Sequence, residues 1–178
     1  MRTSPVPVRL ATPVDIPVLT SLLDAFMREA FNAKWHGSAE ALERDGLGAH
    51  FELLVAEDSL GKLAGFVAWQ MAYDLHHCVR GGSVLDLYVV PASRGRGVAL
   101  ALMATMAARV RERGGVYVRG QAVPKREVQR VYERMCVLFP GADANVGGRA
   151  FRALADLEGV PPREAVGRLP QREWNDEG

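Results

Sequence analysis

The stretch from Leu85 to Ala99 constrains this chain more than any other. It reads Leu85-Asp86-Leu87-Tyr88-Val89-Val90-Pro91-Ala92-Ser93-Arg94-Gly95-Arg96-Gly97-Val98-Ala99. Its first half is rich in β-branched and aromatic residues, as strands are, and Pro91 ends it. Gly95 and Gly97 then open an Ala-rich segment from Val98 to Arg113, which reads as a helix whose small side chains allow close approach to a sheet. Gly114-Gly115 stops that helix, and Val116 to Arg119 reads as a second strand. Strand, helix and strand at this spacing form a β-α-β unit, so the two strands are expected to be parallel.

The elements around this unit follow from periodicity. Val8 to Leu10 reads as a short strand. Thr12-Pro13-Val14-Asp15 has the features of a helix start: a hydroxyl cap, a proline in the first turn and an acid three residues on. Ile16, Leu19, Leu23, Phe26 and Ala30 then lie on one helical face. Phe31 to Gly37 reads as a loop, and Ser38 caps a short helix to about Asp45 that Gly46 and Gly48 stop. Glu52 to Glu57 and Leu63 to Tyr73 read as strands joined by a turn at 58–62. Asp74 to Gly82 reads as a loop before a strand from Ser83 to Val90. Short strands joined by turn residues predict antiparallel pairing. A helix from about Pro124 to Met135 is expected next. Beyond Pro140, Gly148 to Leu157 reads as helical, Gly159-Val160-Pro161-Pro162 breaks it, and Arg163 to Arg168 forms one further turn or two.

Composition excludes several classes. With 178 residues, 48% hydrophobic and 24% charged, the chain is expected to be one ordered domain, residues 1–178, with 140–178 a divergent C-terminal segment. No apolar run approaches the roughly 20 residues of a membrane helix. Pro5 and Pro7 interrupt any signal-peptide core, and Cys78 and Cys136 are too few for a disulfide framework. The expected location is the cytoplasm, with no membrane partner. The net charge is +1, but residues 94–134 hold ten Lys or Arg against three Asp or Glu, and the rest of the chain is acidic. A basic segment beside acidic flanks suits an anionic cofactor and a cationic substrate, or else reflects solvated helix faces in an Arg-rich protein. So small a net charge, with no base-reading motif, argues against a nucleic-acid partner.

A strand that runs through a Gly-rich turn into a helix makes an anion site. The first helical turn has free backbone N–H groups at its positive dipole end, and the glycines let the backbone approach a phosphate. Arg94 and Arg96 add charge and forked donors. The alternative is a plain βα turn with solvent-facing arginines. Other phosphate-binding patterns fit less well. A dinucleotide fingerprint needs Gly or Ala where Leu100 stands, and the only Gly-Lys pair, Gly61-Lys62, is followed by Leu63 rather than the Ser or Thr of a P-loop.

The segment resembles the signature of the GNAT N-acetyltransferases: a strand ending in an aromatic-Val pair, a proline, then Arg-x-x-Gly-x-Ala opening a helix. Arg94, Gly97 and Ala99 occupy the signature positions. The order β, α, α, three antiparallel strands, α, β, α also resembles that family over Val8 to Met135. The resemblance implies an α/β (mixed α+β) fold: a central, mostly antiparallel sheet with a splayed parallel pair, flanked by helices. It implies acetyl-CoA as co-substrate, without a metal, and transfer of its acetyl group to a primary amine of a small molecule or protein. By the same resemblance, the main chain of Tyr88, Val89 and Val90 would contact the pantetheine. The amides of Arg94, Gly95, Arg96, Gly97, Val98 and Ala99 would hold the pyrophosphate, and Tyr132 would donate a proton to the leaving thiolate. The family often has Asn seven residues before that Tyr and Gly-Phe just after it. Here Lys125 and Cys136-Val137 stand instead, with Lys125 a further candidate for the cofactor.

Asp86, on the cofactor strand, is the candidate base or water relay, its bland alternative being a carboxylate bonded to a neighbouring amide or Arg. It is expected to share a face with Val84, Tyr88 and Val90. His36, His50, His76 and His77 compete for the role. His76-His77-Cys78 reads as a loop, since three adjacent residues do not converge on one metal. Phe31, Trp35 and His36, after the first helix, are candidates for contacting the acceptor, or for closing the core. The nearby acids Glu40, Glu43 and Asp45 would suit a cationic amine. Phe151 to Trp174 reads as a cap over the cleft or as a homodimer contact. An acyl-CoA sensor without turnover, or a transferase of longer acyl groups, would use the same pyrophosphate site.

Overall fold

The computed structural model describes residues 5–121, 137–138, 143–146 and 148–168. Its strands are β1 (Val8–Leu10), β2 (Glu52–Glu57), β3 (Leu63–Asp74), β4 (Val79–Val89), β5 (Val118–Gln121), β6 (Val137–Leu138) and β7 (Asp143–Val146). They form one sheet in the order β1-β2-β3-β4-β5-β7-β6, antiparallel except for the β4–β5 pair. The described helices are α1 (Ile16–Phe31), α2 (Ala39–Gly46), α3 (Val98–Glu112), α4 (Gly148–Ala155) and α5 (Pro162–Arg168). The mixed α/β architecture expected from the sequence is present, with its parallel pair at the centre. The helix expected over 124–135 lies outside the described residues.

Each face of the sheet is covered by the helices whose apolar stripes fit it. Leu19, Leu23 and Phe26 of α1 and Leu42 of α2 pack with Leu53, Val55, Phe66 and Tyr88. On the opposite face, Leu102, Met106 and Val110 of α3 pack with Leu54, Val67 and Trp69, and Phe151 and Leu154 of α4 close that layer. The start of α1 is anchored by Asp15, only 6% exposed, which accepts two hydrogen bonds from Arg9 at 2.7 and 2.9 Å and one each from the Thr12 amide and hydroxyl. The Arg9 guanidinium holds the Asp15 carboxyl down at about 2. At the other end of α1, Asn32 adopts a left-handed conformation that stops the helix.

Several boundaries differ from expectation. β4 begins at Val79, so residues 79–82, expected as loop, pair with β3 down to Asp74 opposite Val79. The turn at 75–78 lacks the usual glycine. Asp74 shapes it instead: Oδ1 accepts the amides of His76 and His77, Oδ2 bonds His77 Nδ1 at 2.9 Å, and Cys78 takes a positive φ. Gly81 and Gly82 look like loop residues in the sequence because they lack side chains. In the fold, a Cβ on Gly81 would lie 2.5 Å from the Tyr117 ring, and one on Gly82 would lie 2.5 Å from Val110. They are glycines because the β-α-β unit closes directly on them. β5 accordingly starts at Val118 rather than Val116, and β4 ends at Val89 rather than Val90. Chain beyond the fifth strand extends the sheet through β7 and β6.

Candidate active site

The site forms where β4 and β5 part. They pair only at Gly82 with Val118 and Ser83 with Arg119, and β4 then continues to Val89 with no partner on that side among the described residues. Hydrogen-bonded residues alternate along an antiparallel ladder. Val90 donates its amide to Ala64 O at 3.0 Å, which marks that pair as hydrogen-bonded. The Tyr88 main chain therefore also faces β3, and the groups directed into the gap belong to Leu87 and Val89. The Val90 carbonyl accepts the Ser93 amide, so Val90 has no free main-chain group. Leu87 was not among the residues singled out in the sequence, where only the aromatic-Val pair stood out.

The chain then turns through Pro91–Ser93 into α3. Gly95 and Gly97 have φ of 71° and 82°, and Gly97 is the N-cap residue of α3 with no side-chain cap. No amide from Gly95 to Leu100 makes a hydrogen bond of good geometry among the described residues, although the Gly97 carbonyl accepts the Ala101 amide. This is the row of free donors that a pyrophosphate requires, and it fits the residues present. A Cβ on Gly95 would meet open space, whereas one on Gly97 would lie 2.1 Å from Cβ of Pro162 in α5. Gly97 is thus also the seat of α5.

The two arginines of the turn differ. Arg96 is exposed and makes no ion pair among the described residues. Arg94 is committed: Nε donates to Val89 O at 2.9 Å, an amino nitrogen reaches Glu29 at 2.7 Å, and the guanidinium lies 5.6 Å from the Tyr88 ring centre. Its side chain ties the end of β4 to α1. Lys125 and Tyr132 lie outside the described residues.

A cavity of about 230 Å³ opens beneath α1 and α2. Leu23 lines it from α1, Trp35, Gly37 and Ser38 from the loop, and Ala41, Leu42 and Asp45 from α2. Phe51, Leu53, Ala68, Leu85 and Asp86 complete the wall from the sheet side. Of the three acceptor candidates, Trp35 is in the wall. Its amide donates to Asp24 at 3.1 Å, and its ring lies over Gly37, where a Cβ would come within 2.2 Å. Phe31 instead packs edge-on to Phe26 and is 59% exposed, and His36 is exposed; neither lines the cavity. Phe51, Leu42, Leu53 and Leu85 carried no signal beyond that of ordinary core residues.

Asp86 reaches this cavity through an irregularity. Ala68 pairs with Asp86 and Trp69 with Val84, so Leu85 is the extra residue of a β-bulge. The bulge reverses the alternation: Val84 packs on the α3 face, while Tyr88 and Asp86 face α1 and α2. The expectation that Asp86 and Val84 share a face is therefore corrected, because a bulge shifts the side-chain period by one. Asp86 has no hydrogen bond or ion pair among the described residues, and burial alone pushes its carboxyl up to about 6. His76 and His77 sit in the distant hairpin turn. His50 Nε2 lies 4.0 Å from Asp45 Oδ1, and it does not line the cavity. Among the described residues, no group of three or more His, Cys, Asp or Glu is placed to hold a metal, and no helix is long and apolar enough to cross a membrane.

A sheet whose parallel pair opens beside an anion-ready helix start defines an α/β transferase. The chain belongs to the acetyltransferase (GNAT) family, which its residues 17–136 match. It is similar to the ribosomal-protein-alanine N-acetyltransferase of Brucella melitensis biovar Abortus 2308, at 24% identity over 74% of this chain and 91% of that one, TM-score 0.62. It is also similar to a GNAT-family N-acetyltransferase of Escherichia coli in complex with CoA, at 20% identity over 94% and 88%, TM-score 0.54. A phosphinothricin acetyltransferase from Sinorhizobium meliloti in complex with AcCoA is 19% identical over 65% of each chain, TM-score 0.52. At these identities the likeness is one of fold. No curated protein matches the sequence.

Proposed function

We propose that the protein transfers the acetyl group of acetyl-CoA to a primary amine, with Asp86 as the proton acceptor. The observation that carries this reading is the pairing of a donor-rich turn, Gly95 to Leu100, with an unpaired carboxylate across one open strand edge. The solved relatives bound to CoA or AcCoA support the choice of co-substrate. Acetyl-CoA supplies a thioester carbonyl. The amides of Gly95 to Leu100 hold its pyrophosphate, Arg96 adds charge, and the main chain of Leu87 and the amide of Val89 pair with its pantetheine arm. Asp86 takes the proton that the amine nitrogen loses as the C–N bond forms and the C–S bond breaks. A carboxyl near 6 is largely ionised at neutral pH yet more basic than an ordinary Asp, which suits that role. Tyr132, outside the described residues, is our candidate for returning a proton to the thiolate, and Lys125 for a cofactor contact. The exposed thiol of Cys78 fits a reducing cytoplasm.

The test is calorimetric titration with acetyl-CoA. Substitution at Gly97 would dislodge Pro162 as well as block phosphate, so Gly95 is the better site. It has room for a side chain, and Asn and Asp tolerate its positive φ. Gly95→Asn is expected to keep binding within a few-fold. Gly95→Asp is expected to weaken it at least tenfold, or about 1.4 kcal/mol. Equal affinity in both variants would remove the pyrophosphate from this turn.

A further inference from the structure

We propose that the acceptor is a compact apolar primary amine, a single ring or branched alkyl group on a short amine arm with no carboxylate. This rests on the acetyl-transfer reading above and specifies which amine that site takes. Size gives the first guide. An apolar cavity of about 150 Å³ admits benzene. The cavity here, about 230 Å³ and partly open to solvent, seats one ring and a two- or three-carbon arm. Wall chemistry gives the second. Leu23, Leu42, Phe51, Leu53 and the Trp35 ring make most of the described wall apolar; Ser38, Asp45 and Asp86 are its polar side chains, too few for the hydroxyls of a sugar, and an unpaired buried hydroxyl binds poorly.

Charge gives the third. Among the described residues no Lys, Arg or His lines the cavity, and its two ionisable groups are Asp45 and Asp86. Asp45 is already matched by Arg44, which donates to both its oxygens at 2.6 and 2.7 Å. Only Asp86 is left for a cation, so the wall neutralises one ammonium. A polyamine would bring charges with no partner. An amino acid would place its own carboxylate beside two acids and, among the described residues, no base that lines the cavity. The Leu85 side chain, 43% exposed on the bulge next to Asp86, is the nearest place where a cation would change that rule.

The experiment measures thiol release from acetyl-CoA with phenethylamine, 3-methylbutylamine, phenylalanine, spermidine, kanamycin and a short peptide beginning with Ala. Acetyl-CoA binding is measured calorimetrically on the same sample. Phenethylamine is expected to exceed phenylalanine at least thirtyfold in kcat/KM, and to exceed the polyamine, the aminoglycoside and the peptide. Leu85→Arg is expected to narrow the phenethylamine-to-phenylalanine ratio at least tenfold while acetyl-CoA affinity stays at the wild-type value. Preference for phenylalanine, spermidine, kanamycin or the peptide, or no turnover of any amine by protein that binds acetyl-CoA, overturns the inference and leaves the co-substrate site standing. Failure to bind acetyl-CoA overturns both.

Discussion

Asp45 and Asp86 line the same cavity, one from α2 and one from β4, and they are in opposite electrostatic states. The paired Arg44 holds the Asp45 carboxyl below its ordinary value, whereas burial without a partner lifts Asp86 to about 6. A carboxylate with its own cation has no reason to take up another cation or a proton near neutrality. One without a cation has both. The same contrast divides the two faces of the sheet. The α3 face is closed, with Trp69 and Leu102 wholly buried, while the α1–α2 face leaves a cavity between apolar walls in which Asp86 has no ion pair among the described residues.

The largest effect expected from this contrast is on rate. Asp86→Asn is expected to lower kcat/KM by about a hundredfold to ten-thousandfold, the range for losing a general base. Asp45→Asn is expected to lower it less than about tenfold. Similar losses in steady-state assays of the two variants would break the distinction. Next comes packing. Leu102→Ala, on the closed face, should cost about 3 kcal/mol in denaturant unfolding. Leu85→Ala, on the cavity rim, should cost less than about 1 kcal/mol and act on the acceptor KM instead.

Two smaller effects depend on pH. Asp15→Ala should cost about 2 kcal/mol at pH 7, because it leaves the donors of Arg9 and Thr12 without their acceptor. The folded carboxyl is depressed, so this contribution is present above the ordinary Asp value near 3.9 and fades as pH falls towards about 2. Asp86 runs the other way. Its folded carboxyl is raised, so the fold is penalised as pH rises from about 4 to about 6. Asp86→Asn should therefore be slightly more stable than wild type at pH 7 and equal to it near pH 3, as read from denaturant midpoints.

The Gly-rich turn between β4 and α3 was legible in the sequence because it is made of main chain, whereas the alternation that turns Tyr88 and Val90 towards β3 was not. Gly95 and Gly97 stand where positive φ is needed, and a helix start is an anion site whatever its side chains are. The parallel pair followed from the spacing of strand, helix and strand. The cavity was not legible, since its wall draws single residues from separate elements: Trp35, Asp45, Phe51 and Leu85. The Leu85 bulge leaves no mark on composition, yet it decides which face receives Asp86. The longer hairpin was hidden for a similar reason, because Asp74 makes the turn through its side chain and Gly81 and Gly82 look like loop until Tyr117 and Val110 are seen against them.

The most direct test of the account is the pH dependence of acetyl transfer to phenethylamine by wild type and Asp86→Asn, at saturating acetyl-CoA. In wild type, kcat/KM should carry an ascending limb with a midpoint near 6 beneath the titration of the amine itself, and Asp86→Asn should lack that limb. The same limb in both proteins would contradict the assignment of Asp86 as the working carboxylate.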